Sequence, residues 1–263
     1  MCDDAPVIDT AASGLPLVVL VHGAWHGAWC WATLQDRLDR RGIASLAIDL
    51  PGHGASTSPA TDLHGHAAHV ADVVTRWGRP TVLVGHSYGG AVVTEAAAHT
   101  DGVAHLVYLA AFAPAAGDSV MSQLGSMERR EVALGAAMRM RDDGTSVLDA
   151  ELATPALYGR CDPASVRSAL ARLSPHAMAT FTQPVTGDPL ATIESTYVVC
   201  TEDGAVHPDH QRTMSERCTH VVTLDTDHSP FMSMPAETAD VIERIVRTLA
   251  VAPCGTEATE AGA

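Results

Sequence analysis

Two residue types are missing from this chain altogether, lysine and asparagine. All 16 basic residues are arginine. That excludes a Schiff-base lysine, a P-loop lysine and an N-glycosylation acceptor, and it reads as the codon bias of a GC-rich bacterial genome. Aromatic residues are scarce at 4%, so Ala, Val and Leu must carry the core. Positive charge is outweighed: 31 acidic residues against 16 arginines leave a net charge of −15. Such an excess aids solubility and argues against nucleic acid or an anionic membrane surface as partner. The acids are scattered rather than clustered, so they imply no charged substrate. Cysteines at positions 2, 30, 161, 200, 218 and 254 form no C-x-x-C pair and no small disulfide framework. Cys30, Cys200 and Cys218 fall in apolar stretches, where a free cysteine acts as a small buried hydrophobe. The start, Met1-Cys2-Asp3-Asp4, is acidic and no apolar stretch of signal-peptide type follows. No apolar run is long enough to span a membrane. The expectation is a reduced, cytoplasmic protein.

What the chain does contain is ample for one large α/β domain: 263 residues, 46% of them hydrophobic. Leu15 to Val21 is a continuous apolar run, as in a strand buried on both faces. Trp29 to Arg41 has helical spacing with Trp31, Leu34 and Leu38 on one side, and Gly42 stops it. Ile43 to Leu50 reads as a second strand, ended by Pro51-Gly52. Asp62 caps a helix running to about Trp77. Thr81 to Gly85 is a third strand, Ser87 to His99 a helix, and Val103 to Ala111 a fourth strand. This alternation predicts a mostly parallel, doubly wound sheet. Between 112 and 190 the rhythm stops, and short helical pieces such as Met127 to Met140 and Pro163 to Leu173 replace it. It resumes with a strand at Ser195 to Thr201, a helix at Pro208 to Arg217, a strand at His220 to Leu224 and a closing helix from Pro235 to Val251. The expected organisation is a core of 1–111 and 191–252, a helical cap at 112–190 inserted after the fourth strand, and a disordered tail, Pro253–Ala263.

Gly85-His86-Ser87-Tyr88-Gly89 fits G-x-S-x-G between a buried strand and a helix. A sharp strand-to-helix turn holds the serine in a strained conformation with its hydroxyl clear of the sheet, and glycines are needed where side chains would collide. Ser87 is therefore the candidate nucleophile. A seryl hydroxyl is weak at neutral pH, so a base and an orienting acid must follow downstream. Of 14 histidines, His228 is best placed, in Asp225-Thr226-Asp227-His228-Ser229-Pro230 after the last strand. Asp203, just past the preceding strand, is the candidate acid. Glu202 is its main competitor, Asp118 a less favoured site, and Asp225 and Asp227 leave too little chain to fold back onto the ring. After the first strand, Val21-His22-Gly23-Ala24-Trp25-His26 can aim one backbone N–H at a reacting carbonyl, and the residue after Ser87 supplies another. That nominates the amides of Ala24 and Tyr88, with His22 and His26 holding the loop.

His64, His66 and His69 have the spacing H-x-H-x-x-H, but no Asp is interleaved and the stretch opens a helix. A solvated helix face is the preferred reading over a metal site. His207 and His210 have no evident role. Gly52-x-Gly54 lacks the remainder of a dinucleotide fingerprint and is a turn.

With these residues in place, the chain resembles the α/β-hydrolases that include plant methyl-ester esterases of the methyl salicylate type, plant hydroxynitrile lyases and bacterial esterase relatives. The resemblance is carried by VLVHGAWHGAWCW (19–31), AIDLPGHGAS (47–56), VGHSYGG (84–90), LYGRCDP (157–163), YVVCTEDGAVHP (197–208) and DTDHSPFMSMP (225–235). It implies the α/β-hydrolase fold, a triad on Ser87, Asp203 and His228, and oxyanion amides at Ala24 and Tyr88. Lyase members of the group carry Thr where this chain has Gly23, and Lys where it has Ser229. Both differences favour ester hydrolysis.

The expected function is a serine hydrolase of a small to medium, largely apolar carboxylic ester (EC 3.1.1.-), with no cofactor and no metal. The alternatives are the same triad turned to a lyase or secondary-metabolite tailoring step (C–C or C–O elimination, lactone opening), and a low-turnover small-molecule receptor. The expected partner is the ester substrate, with a homodimer as one possible assembly. Phe112, Met121, Leu124, Met127, Met138, Met140, Leu157, Tyr158, Met178 and Phe181 suggest an apolar, adaptable lid.

Overall fold

Strands arise here where aliphatic runs are bounded by turn residues, and helices where apolar residues recur at three- and four-residue spacing. The computed structural model describes residues 14–251; the tail expected at Pro253–Ala263 lies outside them. In chain order the elements are β1 (Leu17–Val21), α1 (Ala32–Asp39), β2 (Ser45–Ile48), α2 (Leu63–Trp77), β3 (Thr81–His86), α3 (Gly89–Ala97), β4 (Val103–Leu109), α4 (Val120–Ser126), α5 (Ala133–Ala137), β5 (Met138–Met140), β6 (Thr145–Leu148), α6 (Ala150–Leu157), α7 (Pro163–Leu170), β7 (His176–Ala177), β8 (Ser195–Cys200), α8 (Pro208–Ser215), β9 (His220–Leu224), α9 (Pro230–Ser233) and α10 (Pro235–Val251). Among the described residues no helix is long and apolar enough to cross a membrane.

Six strands pair in the order β2-β1-β3-β4-β8-β9, every pairing parallel. Successive residues of β1 face opposite ways. Val18 and Leu20 pack with Leu34 and Leu38 of α1 and with Ile242 and Val246 of α10. Leu17, Val19 and Val21 pack with Val70 and Val74 of α2, the apolar side of α3 and Met214 of α8. Burial on both faces explains why the run shows no polar alternation. The helix caps are local: Asp62 Oδ1 accepts from the Gly65 amide at 2.8 Å, and Gly78 ends α2 in the left-handed region at φ +64°.

Strand order reverses at β1. The chain runs out to β2 and crosses back to β3 on the other side, which leaves the carboxyl ends of β1 and β3 adjacent, Val21 opposite Gly85. A doubly wound sheet opens its crevice at such a point. β4 and β8 are also neighbours, with Leu106 opposite Ser195 and Leu109 opposite Val198. Everything between them leaves and returns at one seam.

That inserted segment is not purely helical, as it was expected to be. It carries a second, antiparallel sheet in the order β5-β6-β7. The helix expected over Met127 to Met140 is confined to Ala133–Ala137, and Met138–Met140 is a strand. A turn reverses the chain after it: Arg141 N–H donates to Thr145 O at 2.8 Å and Gly144 sits at φ +80°. A three-residue strand is too short to show a period of two, and Met138 follows Leu134 at a helical interval of four. Two helices, α4 and α6, were not anticipated. Ser119 and Asp149 cap them through side-chain oxygens.

Candidate active site

Ser87 has φ +52°, a left-handed conformation that costs energy for any residue with a Cβ. The surroundings enforce it. Ser87 N–H donates to Leu109 O at 3.3 Å, while its carbonyl accepts from Gly90 N at 3.0 Å and Phe112 N at 3.1 Å. Glycine at 89 lets the new helix close on β1, because a Cβ there would stand 2.6 Å from Val21 O. α3 therefore starts at Gly89 rather than at Ser87 itself. Ser87 lines a cavity of about 490 Å³. Its Oγ makes no hydrogen bond among the described residues; such bonds commonly tighten only when substrate arrives.

His228 and Asp203 come from loops after the neighbouring strands β9 and β8, where Cys200 stands opposite Leu224. His228 Nδ1 donates to Asp203 Oδ2 at 2.7 Å, with both side chains almost fully buried. Asp203 receives three more donors: Ala205 N at 2.7 Å and Val206 N at 2.8 Å on Oδ1, and Gln211 Nε2 at 2.7 Å on Oδ2. This many donors fix the orientation of the carboxylate against the His228 ring. The competing acids are occupied elsewhere. Glu202 pairs with Arg160 at the surface, and Asp225 accepts from Thr201 Oγ1. Asp227 accepts from Ser229 N, Ser233 Oγ and Arg160 N, and so fixes the loop that carries His228. Asp118 accepts from Ser122 Oγ near the start of α4.

His86 ties the serine's strand to this loop. Its Nε2–H donates to the carbonyl of His228 at 2.8 Å, and the two rings lie 4.5 Å apart. Its Nδ1 is buried without a partner among the described residues. Burial and the neighbouring His228 push the His86 pKa well below the usual histidine value, so His86 is neutral.

Neither the Ala24 nor the Tyr88 amide donates a hydrogen bond among the described residues. The peptide that contains Ala24 N–H is held from its other end. Gly23 O accepts from His22 Nδ1–H at 2.8 Å and from His26 N–H at 3.4 Å. Carbonyl and amide point opposite ways across a trans peptide, so these bonds turn Ala24 N–H away from them. His22 Nε2 in turn accepts from Leu50 N–H at 3.1 Å. His26 Nδ1–H donates to Ala24 O, and its Nε2 accepts from Tyr158 O–H at 2.7 Å. Burial lowers the His26 pKa to about 4. His22 and His26 thus brace the loop as neutral rings.

Trp25 is the second strained residue of the site, at φ +64°. The inserted segment holds it. Trp25 O accepts from Ser174 N at 2.9 Å, and its indole N–H donates to Ser146 Oγ at 3.1 Å. Tyr88 is braced as well: its O–H donates to His66 Nδ1 at 2.9 Å, while His66 Nε2–H faces Pro51 O at 3.2 Å. The expectation of a solvated face at His64, His66 and His69 therefore fails at His66, which is buried. His64 diverges to pair with Glu95.

Seven of the ten expected lid residues line the cavity; Met140, Leu157 and Tyr158 do not. Met140 is exposed, and Leu157 and Tyr158 belong to a separate apolar cluster around α6 and α7. His207 and His210 also line the cavity. His207 Nδ1 caps α8 by accepting from Asp209 N at 3.1 Å. Gln211, Ser146 and the bracing role of His86 were missed. The one available signal was Gln211 on the same side of its helix as Met214 and Ser215, eight residues after the acid.

A family model described as the alpha/beta hydrolase family matches residues 18–241. The alpha/beta hydrolase nvfD of Aspergillus novofumigatus is 28% identical, over 89% of this chain and 96% of its own length. Methylesterase 9 of Arabidopsis thaliana is 29% identical, over 86% and 96% respectively. Among solved structures, a pyrethroid hydrolase from Sphingobium faniae JZ-2 superposes with a TM-score of 0.76 at 25% identity, covering 90% of this chain and 98% of that one.

Proposed function

This chain belongs to the alpha/beta hydrolase family, and within it we propose a serine hydrolase that cleaves a carboxylic ester through an acyl-enzyme on Ser87. The observation that carries the reading is the buried Asp203–His228 pair, 2.7 Å apart, on loops beside a serine held at φ +52°. His228 Nε2 takes the Ser87 proton as Oγ attacks the ester carbonyl. Asp203 holds the ring and stabilises the imidazolium. The amides of Ala24 and Tyr88 receive the negative charge that develops on the carbonyl oxygen. His228 then protonates the departing alcohol, and water repeats the sequence in reverse to release the acid. These residues need no metal or organic cofactor for that chemistry.

Relatives named as a methylesterase and a pyrethroid hydrolase support an ester as substrate. Position 23 favours hydrolysis over cyanohydrin cleavage. A Cβ at Gly23 would stand 2.9 Å from Ser87 Cβ and from His86 Nδ1, so a threonine there would displace the nucleophile. The division into a core of 1–111 and 191–252 with a cap at 112–190 is part of the same reading, the cap supplying the apolar walls.

The test is labelling by a fluorophosphonate and turnover of short p-nitrophenyl esters, wild type against Ser87→Ala. The expected outcome is labelling and hydrolysis in the wild type, both lost in the variant. No labelling and no Ser87-dependent turnover would sink the proposal.

A further inference from the structure

Resting on the ester-hydrolase reading, we infer that the cavity over Ser87 contains a subsite for an anion at Arg129, so that the ester taken carries a carboxylate or similar group at the end remote from the scissile bond.

The argument starts from charge. This chain has nearly two acidic residues for every arginine, yet among the described residues no Asp or Glu lines the cavity. The titratable side chains on its wall are all basic: Arg129, Arg130, His207 and His210. They sit on two short stretches of chain, 129–130 and 207–210, which are bound together. His210 Nε2–H donates to Glu128 O at 2.8 Å, and Arg130 Nε lies 3.2 Å from Asp209 Oδ2. The charge of Arg130 is matched, since it also pairs with Glu128 at 3.0 Å. Arg129 differs: among the described residues no carboxylate lies within 4.0 Å of its guanidinium. It is an unmatched cation on the wall of a site in a protein whose overall field repels anions.

The remaining walls place the anion. Val120, Leu124, Met178 and Phe181 surround the rest of the cavity, and a charged group against them would lose its hydration with nothing in return. A sphere of the cavity's volume is about 10 Å across. A substrate that reaches both Ser87 and Arg129 is therefore a half-ester of dicarboxylic type with an apolar middle. A guanidinium suits such a group because it meets a carboxylate with two parallel N–H donors.

The test compares mono-p-nitrophenyl adipate with p-nitrophenyl hexanoate, which have acyl chains of equal length and differ in the terminal carboxylate. The ratio of their kcat/KM values is expected to fall about fivefold in Arg129→Ala, the scale of a solvent-accessible ion pair, and to be largely kept in Arg129→Lys. High salt should lower the wild-type ratio as well. An unchanged ratio in Arg129→Ala overturns the inference and leaves the esterase reading standing. If the wild type turns over neither ester in a Ser87-dependent way, the esterase reading fails by itself. The subsite is then read by calorimetry with monomethyl adipate, where equal affinities for wild type and Arg129→Ala overturn it. Arg129 is exposed, so both variants are expected to fold, and circular dichroism checks that they do.

Discussion

The six-stranded sheet and the segment between β4 and β8 are built to different tolerances. In the sheet, Val18, Leu20, Val82 and Val84 are fully buried, and the serine turn is closed by backbone contacts that admit no extra atom at Gly89. In the segment, the cavity wall is made largely of flexible side chains, among them Met121, Met127, Met138 and Met178, and Met121 is half exposed. Thioethers with three rotatable bonds re-pack around shapes that a valine wall would refuse. On the proposed ester-hydrolase reading, rigidity is concentrated where bonds would be broken and adaptability where a substrate would be chosen.

The comparison can be broken or sharpened by measurement. The largest effect is expected on the rigid side. Asp203→Asn keeps the shape of the His228 contact but favours the wrong tautomer, and kcat should fall about 10⁴-fold, with a lowered melting temperature because an amide N–H replaces an oxygen that accepts buried donors.

Next comes acid. Burial holds His26 and His66 at pKa values of about 4 and pushes His22, His86 and His176 well below the ordinary value of 6.5. Between pH 6.5 and about 4 the unfolded chain binds protons that the folded one refuses, so stability falls as pH drops through that window and is level above about 7. Each such histidine removes about 1.4 kcal/mol per pH unit, against a typical total of about 5–15 kcal/mol. Acid unfolding is therefore expected near pH 5. These rings lie on both sides of the boundary, since His176 belongs to the segment, and near- and far-UV circular dichroism should report one coincident transition. Two separated transitions would show the segment loosening first.

A smaller effect is expected at the junction. Ser146→Ala removes the acceptor of the Trp25 indole and relaxes the loop that carries Ala24. A drop of about tenfold in kcat at nearly constant KM is expected, less than the full loss of one oxyanion donor. A loss near that for Asp203→Asn would make the segment part of the chemistry and end the distinction. The smallest effect belongs to the wall. Met121→Leu should shift the preference between short and long acyl p-nitrophenyl esters about twofold with stability almost unchanged.

The same contrast governs what could be read from the residues alone. The strands of the sheet are legible because burial on both faces demands unbroken aliphatic runs, as in Leu17–Val21 and Thr81–His86. Ser87, Asp203 and His228 stand out because a strand-to-helix turn and two strand-end loops leave few positions for them. The hairpin of β5 and β6 was illegible. Its strands are three and four residues long and partly exposed, so no periodicity accumulates. Gln211, His86 and Ser146 act through partners 8 to 142 positions away, a distance over which sequence spacing carries no signal.

The seam between β4 and β8 has a consequence for engineering. The two strands hydrogen-bond directly to each other, and paired strands lie about 4.8 Å apart. The chain therefore goes out and comes home through one narrow doorway. A change of length beyond it need not shift the pairing of β4 with β8. What lies beyond the doorway still reaches back through it: Ser146 holds Trp25, Tyr158 holds His26, and Arg160 holds Asp227. A chimera that grafts a relative's excursion between Leu109 and Ser195 should keep the strand pairing, and should keep turnover only if the graft supplies counterparts of Ser146, Tyr158, Arg160 and Ser174.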